Sequence, residues 1–238
     1  MDEFAQGAAP APPTPHRPLL GLTVLVVEDS RFACEALRLL CLRSGARIRR
    51  ADCLASARRH LQTYRPSVVI VDMGLPDGNG AELIEELAAA APRLAVILAM
   101  SGDTFAEDLA IAAGADGFLA KPVLNLADFQ QAILSRLPPE RRPRGLWALS
   151  EDMVEPDPHA YRDDLSHAAE TLSGGRPEEV IDYVAQFLGG IARSARDMPL
   201  ARAAEAVTRG RESGRLPRAD IVALKQLVQS RLAEEQTI

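Results

Sequence analysis

Four short apolar runs punctuate the first part of the chain, and each ends on a polar residue. Val24-Leu25-Val26-Val27 leads into Glu28-Asp29, Val68-Val69-Ile70-Val71 into Asp72, Ala95 to Met100 into Ser101, and Gly117-Phe118-Leu119-Ala120 into Lys121-Pro122. Bounded runs of this length, rich in β-branched residues, read as buried parallel strands. Between them the apolar period changes. Residues 30–44 carry Phe32, Ala33, Ala36, Leu37, Leu40 and Cys41 at helical intervals, with Gly45 as a C-terminal stop. Residues 56–61, 81–90 (ended by Ala91-Pro92), 105–113 and 126–137 repeat the helical pattern. Strand and helix alternating five times predict an α/β fold: a doubly wound, five-stranded parallel sheet with helices on both faces.

After Leu137 the pattern changes. Pro138 to Gly145 is charged and proline-rich, Leu146-Trp147-Ala148-Leu149 is a short apolar patch holding the only Trp, and 151–158 is acidic. Residues 138–158 are therefore expected to be a linker, its patch packed on a neighbouring domain. Residues 159–238 contain helical patterns alone. They fall at 161–172, closed by Gly174-Gly175, then 177–198, 200–210 and 219–235. Val180, Val184, Phe187, Leu188 and Ile191 form one apolar stripe, and Ile221, Leu224, Leu227, Val228 and Leu232 another. Pro177 suits a first helical turn, and Ser213-Gly214 and Pro217 mark the last turn. A small all-α bundle is predicted. At the other end, residues 1–20 read as a disordered proline-rich tail outside any core.

Parallel sheets bind ligands beyond the carboxyl ends of their strands. Three carboxylates, a hydroxyl and an ammonium should thus meet at one edge. Carboxylates so clustered repel unless a cation sits among them, and an all-oxygen site open to water and a phosphoryl group suits Mg²⁺. A metal, a lysine and a hydroxyl around one carboxylate are what phosphoryl transfer to it needs, and Asp72 is the acceptor the order implies.

At these residues the chain resembles the receiver domain of two-component response regulators, over about residues 21–137. The resemblance implies the flavodoxin-like fold, with Glu28 and Asp29 as the acidic metal pair and Asp72 as both phospho-acceptor and metal ligand. It makes Ser101 the switch hydroxyl and Lys121, before Pro122, the lysine that contacts the phosphoryl group. Asp72-Met73-Gly74-Leu75-Pro76-Asp77-Gly78-Asn79-Gly80 looks like the family's acceptor loop, in which the Gly74 carbonyl also binds the metal. Phe118 stands at the aromatic switch position. The phosphodonor implied is a histidine kinase or a phosphotransfer protein.

Composition narrows the output. The 238 residues and 47% hydrophobic content allow one domain of receiver size and a smaller second one. Residues 151–238 hold 16 Asp and Glu against 11 Lys and Arg, where a nucleic-acid module is typically basic. A DNA-binding output through Arg209, Arg211, Arg215 and Arg218 is the alternative reading, not the favoured one. His167 invites comparison with a histidine phosphotransfer domain, but Ala168-Ala169-Glu170-Thr171 departs from that pattern, so a structural histidine is expected. The bundle holds no phosphate loop or nucleophile constellation, so it is read as an interaction module and not an enzyme. Docking on the receiver, homodimerisation, and binding a protein partner all suit its apolar stripes. Cys34, Cys41 and Cys53 lack metal-ligand spacing and read as reduced thiols. An acidic start and the absence of any run near 18 apolar residues point to a cytoplasmic protein, not one of the membrane.

Overall fold

The computed structural model describes residues 12–103, 105–142, 150, 152–173, 178–213 and 218–234. Trp147, Gly174-Gly175, Gly214, Arg215 and Pro217 lie outside that set, as does the tail up to residue 11.

The strands are β1 (Thr23–Val27), β2 (Arg47–Ala51), β3 (Val68–Asp72), β4 (Gly74–Leu75), β5 (Gly78–Asn79), β6 (Val96–Ser101) and β7 (Gly117–Ala120). Five of them form one parallel sheet in the order β2-β1-β3-β6-β7. The helices α1 (Arg31–Ser44), α2 (Leu54–Thr63), α3 (Gly80–Ala89), α4 (Ala106–Ala112) and α5 (Leu126–Leu134) provide the crossovers. Because strand side chains alternate between faces, each buried strand feeds two cores. Val24, Val26, Val68, Ile70, Val96 and Leu98 pack with Leu37 and Leu40 of α1 and Phe129 and Ile133 of α5. Leu25, Val27, Val69, Val71, Ile97 and Ala99 pack with Ala57 of α2, Leu83 and Ile84 of α3 and Ala110 of α4. Burial on both faces is why those strands read as continuous apolar runs. Strand β2 escaped that pattern: it is an edge strand whose Arg47, Arg49 and Arg50 are exposed, and basic side chains there discourage edge pairing. Gly45 ends α1 at φ 85, as the pattern predicted. Within the stretch that resembles an acceptor loop, β4 closes on β5 as a short antiparallel pair.

Two boundaries need correction. Part of the segment read as a disordered tail over 1–20 joins the core: Leu19 is fully buried against the α1/α5 face, and its N–H donates to the Ser44 carbonyl at 2.9 Å. A buried Leu tied to a helix end outweighs the local proline content. The stretch read as a linker over 138–158 is likewise anchored. Leu126 N–H donates to the Asp152 carbonyl and Val154 N–H to the Leu124 carbonyl, both at 2.9 Å, and Val154 is buried in the same core.

The second unit comprises α6 (Pro158–Ser173), α7 (Glu178–Ser194), α8 (Met198–Glu212) and α9 (Arg218–Glu234). Val184, Leu188 and Ile191 of α7, Leu200 and Val207 of α8, and Leu224 and Val228 of α9 form its core with Leu165 and Leu172 of α6. The second helix, expected to reach Met198, stops at Ser194. Asp197 caps α8 instead, accepting from Leu200 N–H at 3.2 Å, and it also pairs with Arg231 at 2.7 Å.

This unit sits on the sheet domain. Asp164 of α6 is 2% exposed and accepts from the Ser30 hydroxyl at 2.7 Å, Arg31 N–H at 2.8 Å and Phe32 N–H at 3.0 Å. Ser30 itself caps α1 by accepting from Ala33 N–H at 2.9 Å. Together these satisfy donors that a helix start leaves unpaired, and a carboxylate there also suits the helix dipole. Arg31 pairs with Asp163 at 2.5 Å, and the Phe32 and Tyr161 rings lie 5.7 Å apart.

Candidate phospho-acceptor site

Strand register assembles the site. Val27 pairs with Val71, so Glu28 follows β1 beside Asp72 at the end of β3. Asp72 pairs with Met100 and Ser101 with Ala120, which brings Ser101 and Lys121 to the same edge. The strand order reverses between β1 and β3, which is where open α/β sheets present their crevice. Gly80 allows the following helix to start close by: a Cβ there would stand 2.1 Å from the Asp72 carbonyl oxygen.

Glu28, Asp29, Asp72, Gly74, Ser101 and Lys121 line one cavity of about 60 Å³. Phe118 does not; it is half-buried and packs on the core of the α2/α3/α4 face. Lys121 Nζ lies 2.7 Å from Glu28 Oε2 and 3.0 Å from Asp72 Oδ2. Ser101 is 3% exposed, and its Oγ accepts from Asp103 N–H at 3.0 Å. Burial pushes the Asp72 carboxyl up to about 7, against the pull of Lys121 and with the repulsion of Glu28. Burial also raises Asp29 well above the usual carboxylate range, reinforced by Glu28 and Asp72. Burial alone would lower the Lys121 ammonium, but Asp72 and Glu28 outweigh it and hold it above the ordinary lysine value. One lysine thus leaves three carboxylates under-neutralised, Glu28 and Asp72 buried and Asp29 half-buried. One ligand atom from each of Glu28, Asp29 and Asp72 lies within 4.8 Å of the others. That all-oxygen donor set fits a hard divalent cation such as Mg²⁺.

The sequence pattern missed the other wall. Gln186, Phe187, Gly190 and Arg193 of α7 line the same cavity, and the Tyr183 hydroxyl donates to Asp29 Oδ2. Burial and the Asp29 charge raise the Tyr183 phenol, keeping it a donor. Tyr183, Gln186 and Arg193, with Gly190 between the last two, were the available signal beside the apolar stripe, because 186, 190 and 193 follow one helix face. His167 is exposed, meets the Phe187 ring edge at a centroid distance of 6.3 Å, and does not line the cavity. Of the basic cluster near 209–218, Arg209 pairs with Glu205 at 3.1 Å and Arg211 with Asp182 at 2.7 Å.

The family model described as the response regulator receiver domain matches residues 24–134. This segment is a response regulator receiver domain. The helical unit that follows it is unassigned. The KDP operon transcriptional regulatory protein KdpE of Escherichia coli is 33% identical over 99 residues, covering 42% of this chain and 44% of that protein. The virulence transcriptional regulatory protein PhoP of Salmonella typhimurium is 29% identical over 102 residues, covering 42% and 46%. The chain thus spans less than half the length of these curated relatives. A solved receiver domain (CheY-like) from Methylobacillus flagellatus is 26% identical, covers 47% of this chain and 98% of that one, and superposes with a TM-score of 0.42. Among the described residues, no helix is long and apolar enough to cross a membrane.

Proposed function

We propose that this protein works in a phosphorelay, accepting a phosphoryl group on Asp72 from a histidine kinase or phosphotransfer protein and switching its helical unit in response. The observation that carries the reading is the meeting of Glu28, Asp29, Asp72, Ser101 and Lys121 in one cavity at the strand ends. An Asp72 carboxylate oxygen attacks the phosphorus of a phosphohistidine. The P–N bond breaks as the new O–P bond forms, and its electron pair stays on the departing imidazole. Lys121, already 3.0 Å from Asp72 Oδ2, neutralises charge on the arriving group. Glu28, Asp29, Asp72 and the Gly74 carbonyl would hold Mg²⁺. When bound, that ion shields the carboxylates from one another and draws charge from the phosphoryl oxygens. Ser101 then hydrogen-bonds the phosphoryl group and Phe118 turns inward, repacking the surface of α4 and β7.

The acidic helical unit is read as an interaction module, for a protein partner or a second copy of the chain, acting in the cytoplasm. The relatives named as transcriptional regulators keep a DNA-binding output as the second reading. It is weakened here because Arg209 and Arg211 are already paired within the bundle. Radiolabelled acetyl phosphate with Mg²⁺ tests the acceptor. The full chain should incorporate one label and the D72N variant none; equal labelling of both would overturn the assignment.

A further inference from the structure

Resting on that acceptor reading, we infer that Arg193, on α7 of the helical unit, is a second cationic ligand for the phosphoryl group on Asp72. Arg193 lines the acceptor cavity together with Asp72, Ser101 and Lys121. Its guanidinium abuts the residue after Ser101: a Cβ on Gly102 would stand 2.9 Å from Nη2.

This guanidinium lacks a counter-charge. Among the described residues Lys121 pairs with Glu28 and Asp72, Arg211 with Asp182, and Arg231 with Asp197, while no ion pair or side-chain hydrogen bond engages Arg193. Its Nε is buried without a partner, a costly arrangement unless an anion arrives to meet it. Two nearby carboxylates are already paired, Asp182 with Arg211 and Glu205 with Arg209, while Asp103 accepts from Phe105 N–H at 2.9 Å through Oδ1 and makes no ion pair with Arg193 among the described residues.

Space is available on the same face. Gln186, Gly190 and Arg193 follow each other at i, i+4 and i+7, and a Cβ at Gly190 would meet nothing within 4 Å. A glycine between the two polar residues thus leaves a gap beside Asp72. An arriving phosphoryl group brings dianionic charge and terminal oxygens that a planar guanidinium grips through paired N–H groups. Ser101 and Lys121 approach those oxygens from the sheet, and Arg193 approaches them from the bundle. Tyr183 engages only Oδ2 of Asp29, which leaves Oδ1 for a cation.

By linkage, whatever Arg193 adds to phosphoryl binding it also adds to docking of the bundle. Phosphorylation then clamps α7 on the receiver instead of releasing it. Beryllofluoride with Mg²⁺, a phosphoryl mimic, tests this on the full chain through amide exchange at Arg31 and Phe32, the two N–H groups held by Asp164. Wild-type protein should gain about tenfold protection at these amides, R193Q should lose that gain and bind beryllofluoride about tenfold more weakly, and R193K should recover part of both. The inference is overturned if beryllofluoride lowers protection in the wild type, or if R193Q matches the wild type in both readouts. If neither wild type nor D72N binds the mimic, the acceptor reading fails and takes the inference with it; if wild type binds and D72N does not, the acceptor reading stands and R193Q alone decides the role of Arg193.

Discussion

The receiver's share of the acceptor cavity is carried on strand ends fixed by backbone register, whereas the bundle's share is carried on one helix whose own core faces elsewhere. Glu28, Asp72, Ser101 and Lys121 cannot shift without disturbing a sheet buried on both faces. Tyr183, Gln186 and Arg193 are held over them by a small set of contacts: Asp164 on the start of α1, the Arg31–Asp163 pair, Phe32 against Tyr161, and Tyr183 on Asp29. The buried clusters of the two units share no residue. One wall of the cavity is therefore built into the sheet, and the other is supplied by docking of the bundle. On the proposed phosphorelay reading a protein phosphodonor would have to bring a histidine to the face that α7 covers, so docking of the bundle and docking of the donor would compete for the same ground.

That contrast can be broken at several strengths. The largest effect is expected from removing the lysine of the sheet wall: K121A should slow phosphoryl uptake from acetyl phosphate by on the order of 10³-fold, measured by label incorporation. Next, Leu188 is fully buried in the bundle, and L188A should cost that unit roughly 3 kcal/mol. Calorimetry should show the bundle transition moving down while the receiver transition holds; a joint shift would mean the two cores unfold as one. D164A removes the acceptor of three donors at the junction and should weaken docking by about 2 kcal/mol, read as faster exchange at the Arg31 and Phe32 amides. It should also speed phosphorylation by a protein donor, and an unchanged rate would contradict the competition described above. Y183F leaves Asp29 without its hydroxyl partner and should loosen the same junction by about 1 kcal/mol.

The smallest expected change tests whether undocking leaves the sheet domain closed. Burial pushes the Cys34 and Cys41 thiols up to about 12, while Cys53 is half-buried with its thiol raised less by the same cause. Thiolate is the reactive form, so at pH 8 the two buried cysteines should alkylate far more slowly than Cys53, gaining reactivity only as pH climbs toward their raised values. The order should be the same in D164A. Fast modification of Cys34 in that variant would show the receiver opening along with the junction.

The same division decides what a reader of the sequence could see. Central strands buried on both faces announce themselves as apolar runs, and each polar residue after such a run lands at the sheet edge, so Asp72, Ser101 and Lys121 were legible by position alone. Strand β2 was not, because an edge strand of arginines has no apolar run to find. Leu19 and Val154 were hidden by proline-rich or acidic neighbours, although each buries one side chain in the sheet domain. The α7 stripe gave away the helix and its core, but the stripe says only where the helix packs on its own bundle. That Tyr183 meets Asp29 and Arg193 lines the cavity of Asp72 depends on how two units dock, through contacts such as Ser30 to Asp164 that are 134 residues apart in sequence. No local period encodes that.

The central claim is that Asp72 takes the phosphoryl group. Its most direct test is to load the full chain with acetyl phosphate and Mg²⁺, reduce the product with borohydride, and map the modified peptide. Reduction converts an aspartyl phosphate to homoserine, so the account predicts homoserine at position 72 and at no other Asp. Homoserine at Asp29, at Asp103 or at any other position, or none after stoichiometric labelling, would contradict it.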